Sequence, residues 1–125
     1  MTITLIVGAF GGLGAVSRYL LDRGVQSRAK SFFPFGTFAV NMLGATMLGA
    51  IDALGALRTL PASYVAVLGV GFIGGFTTFS TLMYESFFLL ISRGRRLYGL
   101  TNIIVSVVLG VTLYFIAFIL TKELA

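Results

Sequence analysis

The sequence contains no cysteine and no histidine, and only four carboxylates stand among its 125 residues. Without thiols there is no disulfide framework, no thiol nucleophile and no thiolate metal site. The four acids (Asp22, Asp52, Glu85 and Glu123) are far apart along the chain and form no apparent acid–base pair. The sequence therefore predicts a protein that is not an enzyme.

Charge of either sign is also scarce. Charged residues make up 10% of the chain and hydrophobic residues 58%, whereas a soluble domain carries about 25% charged residues. Such a chain cannot cover a surface that faces water, so it belongs in a lipid bilayer. The net charge of +5 does not indicate nucleic-acid binding, because the basic residues stand at the ends of apolar stretches. The N-terminus is typical of a retained helix, since it has no basic region or cleavage site.

Four apolar stretches are long enough to cross a bilayer, which takes about 20 residues. They run over residues 3–21, 35–57, 62–91 and 97–121. The sequence thus predicts an all-α membrane protein, with one domain of four transmembrane helices over residues 1–125. We expect an oligomer with its pathway or site at or near the interface, because so small a bundle encloses little volume.

The basic residues predict an orientation. Six lie in the first and third connections (Arg23, Arg28, Lys30, Arg93, Arg95 and Arg96) and two on the opposite side (Arg58 and Lys122). The positive-inside rule then places both termini outside the cell, with the two basic connections in the cytoplasm and near anionic headgroups.

The third stretch contains poor helix formers at its centre. Residues 74–78 read GGFTT, and glycine and threonine raise the cost of a continuous helix. We therefore expect two half-helices that meet near Thr77 and Thr78. Hydroxyls and irregular backbone at membrane depth need protein or a water-filled cavity around them. Backbone carbonyls freed by such a break readily coordinate Na⁺ or a similar cation.

Each of three residues at or near membrane depth allows two interpretations. Arg18 either snorkels to the headgroups or draws anions into a vestibule. Asn41 either joins helices by hydrogen bonds or donates its NH₂ group to an anion. Phe79 either packs or presents its electropositive ring edge to a small anion.

The remaining polar residues also allow two interpretations each. Asn102 and Ser106 are four apart and share one helix face, which either lines a pore or packs on another helix. Glu85 is either capped by neighbouring hydroxyls or acts as a gate or ion-linked group. The pairs Gly8/Gly12 and Gly71/Gly75 have GxxxG spacing, which predicts close helix packing within or between subunits.

A longer motif brings these residues together. The run GGFTTFST at residues 74–81, followed by Glu85, resembles the hallmark of the Fluc (CrcB) fluoride channels. Supporting matches are the glycine-rich residues 11–15 followed by Arg18, and Gly36-Thr37 followed by Asn41. The likeness runs through all four stretches.

The resemblance implies an antiparallel dimer with two fluoride pathways, which exports F⁻ passively from a prokaryotic cell and so relieves fluoride toxicity. The dimer is either a homodimer of dual topology or a pair with an oppositely oriented paralogue. A structural Na⁺ at the dimer centre would be held by the backbone carbonyls of Gly74 and Thr77. The implied fluoride pathway consists of Asn41, Phe79, Ser80, Thr81 and Ser106, with Arg18, Glu85 and Asn102 as vestibule or gating residues. Leu82 stands where a second phenylalanine is common, and Asn102 where an aromatic hydroxyl can occur.

Two other functions compete with this one. A proton-coupled exporter of small cations or drugs also has four helices, but it needs a carboxylate within the first span, where this chain has none before Asp22. A non-transporting assembly subunit would explain the glycines but not the clustered hydroxyls and Glu85.

Overall fold

The computed structural model describes all 125 residues, and every regular element is helical. The elements are α1 (Thr2–Ala29), α2 (Phe35–Ala56), α3 (Ala62–Val65), a π-helical stretch (Ala66–Ile73), α4 (Gly74–Phe76), α5 (Phe79–Ile91) and α6 (Arg96–Leu124). Four runs are long and apolar enough to cross a membrane: Thr2–Ala29, Phe35–Ala56, Ala62–Ile91 and Arg96–Leu124. The predicted all-α membrane fold with four spans is confirmed, and the chain is a multi-pass membrane protein.

Helix α1 runs past the point at which the apolar stretch stops. The first predicted span ends at residue 21, but the helix continues to Ala29. A helix need not end where lipid ends, because arginine, glutamine and alanine are good helix formers in water too. The end comes at Lys30, whose φ of 46° is left-handed. The first connection is correspondingly short.

The two basic connections meet at one end of the bundle. The Arg95 guanidinium carbon lies 3.5 Å from the centre of the Phe32 ring, a cation–π contact between the first and third connections. At the other end, α2 finishes before Arg58, which also has a positive φ of 58°. Pro61 then precedes α3, where its fixed φ suits the start of a helix.

The third run is regular only in parts. Residues 66–73 form a wider π-helical turn, and Gly74–Phe76 return to α-helix. Thr77 (φ −83°, ψ 161°) and Thr78 (φ −150°, ψ 123°) are extended. The interruption is therefore narrower than the predicted 74–78, and helix resumes at Phe79.

Glycines set the packing of this run against α1. A Cβ on Gly75 would collide with the backbone of Gly11, and one on Gly14 would collide with the backbone of Phe72. The backbones touch there, which is how helices associate in lipid. A Cβ on Gly8 or Gly12, in contrast, would meet nothing within 4 Å inside the chain.

The buried core is small, as expected for a membrane bundle. Only 20 of the 125 residues are buried, and large apolar side chains are exposed on all four spans. Helix α2 packs along α6, with Gly49 against the backbone of Tyr114, and α5 packs on α6 through Gly99. This arrangement brings α2, α5 and α6 together around the interruption at Thr77–Thr78.

Candidate functional site

The side chain of Asn41 stabilises the extended backbone at the interruption. Its Nδ2 donates to the Thr78 carbonyl at 2.9 Å, and its Oδ1 accepts from the Thr78 amide at 2.9 Å. The two bonds form a reciprocal pair between α2 and an extended residue 37 positions later. Asn41 therefore satisfies the backbone group that a continuous helix would have satisfied internally.

Two carbonyls lose their helical partners as a result. In an α-helix the carbonyl of Gly74 would accept from the amide of Thr78, which here donates to Asn41 instead. The carbonyl of Thr77 would accept from the amide of Thr81, which here donates to the Thr78 hydroxyl at 3.2 Å. The freed pair is the same pair that the motif assigned to a cation. Arg18 Nη1 donates a hydrogen bond to the Thr77 carbonyl oxygen at 3.4 Å, so one side of this oxygen already has a partner.

A groove of about 300 Å³ opens on one side of the interruption. Its polar lining comes from Asn41, Thr77, Thr78 and Ser106, and Phe79 forms part of its wall. Apolar residues from α2 and α6 complete it. The predicted pathway residues Asn41, Phe79 and Ser106 are thus brought together here, and the buried Leu82 lies among them.

A second, more enclosed cavity of about 200 Å³ lies on the other side. Arg18 turns inward to line it, instead of snorkelling outward, and Thr81 and Thr78 line it as well. Thr78 is therefore common to both cavities. Asp22 and Thr37 complete the polar lining, so the cavity holds one positive and one negative side chain.

The hydroxyls after the interruption form a small cluster. Thr78 Oγ1 lies 3.0 Å from Thr81 Oγ1 and 3.3 Å from Ser80 Oγ. Because Thr78 is also the N-cap of α5, these hydroxyls stand at the positive end of a helix dipole. Ser80 lines neither cavity and is exposed on the outside of the subunit.

Glu85 stands apart from both cavities. It lines a third one, of about 370 Å³, which Arg95 also lines. Thr37 lies beside Glu85, but the two oxygens that face inward, Thr37 Oγ1 and Glu85 Oε2, are buried without a hydrogen-bond partner. No hydrogen bond joins the Thr81 hydroxyl to this carboxylate; the hydroxyl accepts one from Thr78 at 3.0 Å.

Asn102 and Ser106 do share one face, but they differ in surroundings. Asn102 is fully buried, and its Nδ2 donates to Ser86 Oγ of α5 at 2.8 Å. Ser106 Oγ donates to Asn102 Oδ1 at 3.3 Å and also borders the first groove. Of the two, only Ser106 lines this groove, and Asn102 lies behind it.

Sequence reasoning missed three of these residues as site residues. Thr78 belongs to the hydroxyl run of the motif, but its central role depends on Asn41, which the sequence could not pair with it. Thr37 stood out only as part of a motif. Ser86 is one serine in an apolar stretch, and no sequence signal distinguishes it from a solvent- or lipid-facing serine.

The fold and the site define a small multi-pass membrane protein with two cavities beside an interrupted span, both of which Thr78 lines. A family model described as "CrcB-like protein, Camphor Resistance (CrcB)" matches residues 5–118. The chain belongs to the CrcB family.

Individual relatives agree with this assignment. Fluoride-specific ion channel FluC of Geobacter sulfurreducens is 47% identical over 111 residues, which cover 87% of this chain and 88% of the relative. Fluoride-specific ion channel FluC 1 of Leifsonia xyli subsp. xyli is 46% identical over 101 residues, covering 81% of this chain and 74% of the relative. FluC 2 of Mycobacterium bovis is 42% identical over 112 residues, covering 88% and 85%. The family is one of ion channels, so the prediction that the chain is not an enzyme is confirmed.

Proposed function

We propose that this chain forms a fluoride-selective channel that lets F⁻ leave the cell passively. The observation that carries the proposal is the pair of cavities that share Thr78 and carry hydroxyl and amide groups in their lining, in a chain whose relatives are named fluoride-specific ion channels. The cavity with Arg18 is the vestibule, and the groove with Phe79 and Ser106 is the narrow part of the pathway.

The lining chemistry suits a small, strongly hydrated anion. Hydroxyls, an amide NH₂ and the electropositive edge of an aromatic ring replace the water that F⁻ must shed. None of them carries a full charge, so an ion that enters can also leave. The single arginine stands at the vestibule beside Asp22, so the vestibule offers an anion one positive partner without a net positive charge that would trap the ion.

The working channel is a dimer, either of two copies or of this chain with an oppositely oriented paralogue. Phe79 is 71% exposed, and Gly74 and Ser80 are also exposed on the outside of a single subunit. Polar groups and interrupted backbone that face lipid are costly. The interruption lies in the middle of the third span, at membrane depth. A second subunit that covers it would remove this cost.

A structural Na⁺ fits the same interface. The two carbonyls freed from the helix, those of Gly74 and Thr77, are hard oxygen ligands of the kind that Na⁺ accepts in unwound membrane helices. Two such carbonyls from each subunit would supply four ligands around a central ion. Bound there, the ion would neutralise the carbonyl dipoles and hold the two interrupted spans together.

The proposal places the protein in the cell membrane of a prokaryote, where passive export relieves fluoride toxicity. Expression in bacterial cells that lack their own fluoride exporter tests it. The chain alone should restore growth in fluoride, and Phe79→Ile should abolish the rescue while leaving the protein in the membrane. No rescue by the wild-type chain, despite its presence in the membrane, would contradict the proposal for a homodimer. Rescue only with a paralogue would assign the heterodimer.

A further inference from the structure

The Ser86–Asn102–Ser106 chain of hydrogen bonds is buried behind the first groove. Ser86 and Asn102 are 0% exposed and Ser106 is 5% exposed, and only Ser106 borders the groove. A buried amide between two hydroxyls costs free energy if left unpaired, so its position is well determined by both neighbours. Asn102 therefore meets the groove only through Ser106.

The Ser106 hydroxyl does not make the bond that helical hydroxyls commonly make. A serine or threonine in a helix commonly donates to the carbonyl four residues earlier. Three hydroxyls inside the helices here do so, at 2.7 to 2.9 Å: Ser17, Thr46 and Thr112. For Ser106 that carbonyl belongs to Asn102, yet the hydroxyl bonds to the side chain of the same residue. The Asn102 amide thus competes with its own main-chain carbonyl for this proton.

The amide has a second orientation of equal hydrogen-bond number. In the first, Asn102 donates to Ser86 and accepts from Ser106. Rotation by about 180° about the Cβ–Cγ bond exchanges the amide oxygen and nitrogen, so that Oδ1 lies beside Ser86 and Nδ2 beside Ser106. Ser86 then donates to Asn102, which donates to Ser106. The Ser106 proton is released, and an anion in the groove adds a third hydrogen bond to this orientation alone.

We propose that Asn102 is a positioning residue for the anion pathway: anchored on Ser86, it keeps the Ser106 hydroxyl away from the helix backbone and, by turning over, lets this hydroxyl donate to an anion in the groove. The inference rests on the proposed fluoride function. It explains how a residue that cannot touch the ion contributes to the polar face of α6. It also gives Ser86, which no motif marked, a role as the anchor of the amide.

A double-mutant cycle on fluoride efflux from proteoliposomes tests this coupling. Ser106→Ala removes one donor to an anion and should slow efflux roughly tenfold, since a hydrogen bond to a charged group is worth about one order of magnitude. Asn102→Leu should slow efflux similarly, because the Ser106 hydroxyl then turns to the residue-102 carbonyl. The double variant should be no slower than Ser106→Ala. Thr112→Val removes a hydroxyl from the same helix and should leave efflux unchanged.

The outcomes separate the two proposals. If Asn102→Leu conducts like wild type, or if the two losses multiply in the double variant, the positioning role is wrong while the channel function stands. A wild-type chain without fluoride efflux contradicts the channel function itself. Should Asn102→Leu aggregate, Ser86→Ala replaces it in the cycle. Its slower efflux should disappear in the Ser106→Ala background, and a persistent loss would overturn the inference.

Discussion

Asn41→Ala is the substitution that affects the site most directly. It removes both hydrogen bonds to Thr78, each 2.9 Å long. The two bonds are only partly buried, so each is worth about 0.5–1.5 kcal/mol and the loss of both costs about 1–3 kcal/mol if the backbone stays in place. If it moves instead, the Thr78 amide returns to the Gly74 carbonyl and the helix closes. Either way we expect a lower unfolding midpoint in detergent and a fluoride efflux reduced roughly 30-fold, since about 2 kcal/mol, the middle of that range, corresponds to this factor.

Two further variants make the result specific. Asn41→Asp keeps the acceptor for the Thr78 amide but places a carboxylate oxygen against the Thr78 carbonyl, so it should be as damaging as alanine. Thr46→Val lies on the same helix and removes only a local bond to the Met42 carbonyl, so both the midpoint and the efflux should stay near wild type. Normal stability and normal efflux in Asn41→Ala would refute the claim that this amide holds the interruption open.

Three more outcomes are expected. Gly75→Ala should prevent close packing on α1 and reduce the yield of folded protein in size-exclusion chromatography, whereas Gly24→Ala, with open space around it, should fold normally. Tyr114→Phe removes a 2.9 Å hydrogen bond to Asp52 that joins α6 to α2, so it should cost roughly 1.5 kcal/mol of stability with unchanged fluoride efflux. Replacing Na⁺ by a large organic cation should lower the thermal unfolding midpoint of the wild type in detergent, because the ion then no longer binds the carbonyls of Gly74 and Thr77.

Much of the fold was accessible from the sequence because lipid imposes a simple rule. A helix that crosses a bilayer must be apolar over about 20 residues, and four such stretches are plain in the chain. The ends were less accessible. Helix α1 reaches Ala29 because residues beyond the apolar stretch still favour helix, and hydropathy does not register that preference.

The interruption was only partly predictable. Composition marked residues 74–78 as weak helix, yet Gly74–Phe76 stay helical and only Thr77 and Thr78 are extended. Local propensity cannot choose among them. Asn41 favours Thr78, because both the oxygen and the nitrogen of its amide bond the backbone of that residue. Such a contact spans 37 positions and depends on how α2 packs.

Long-range contacts also account for what the sequence missed at the site. The sequence left Arg18 either at the headgroups or in a vestibule, and its approach to Thr77 across 59 positions favours the inward position. Ser86 meets Asn102 only because Gly99 lets α5 and α6 touch. The GxxxG pairs show the same limit: the spacing of Gly8/Gly12 and Gly71/Gly75 is identical, but only the second pair packs against a backbone within the chain.

Fluoride efflux from proteoliposomes that contain the purified wild-type chain, with Na⁺ present, measures the central claim most directly. A fluoride electrode should record rapid release of fluoride when a potassium ionophore balances the charge. When the vesicles are loaded with chloride, a chloride electrode should record no more release than from vesicles without protein. Fluoride release no faster than from empty vesicles, or equal release of chloride, would contradict a fluoride-selective channel.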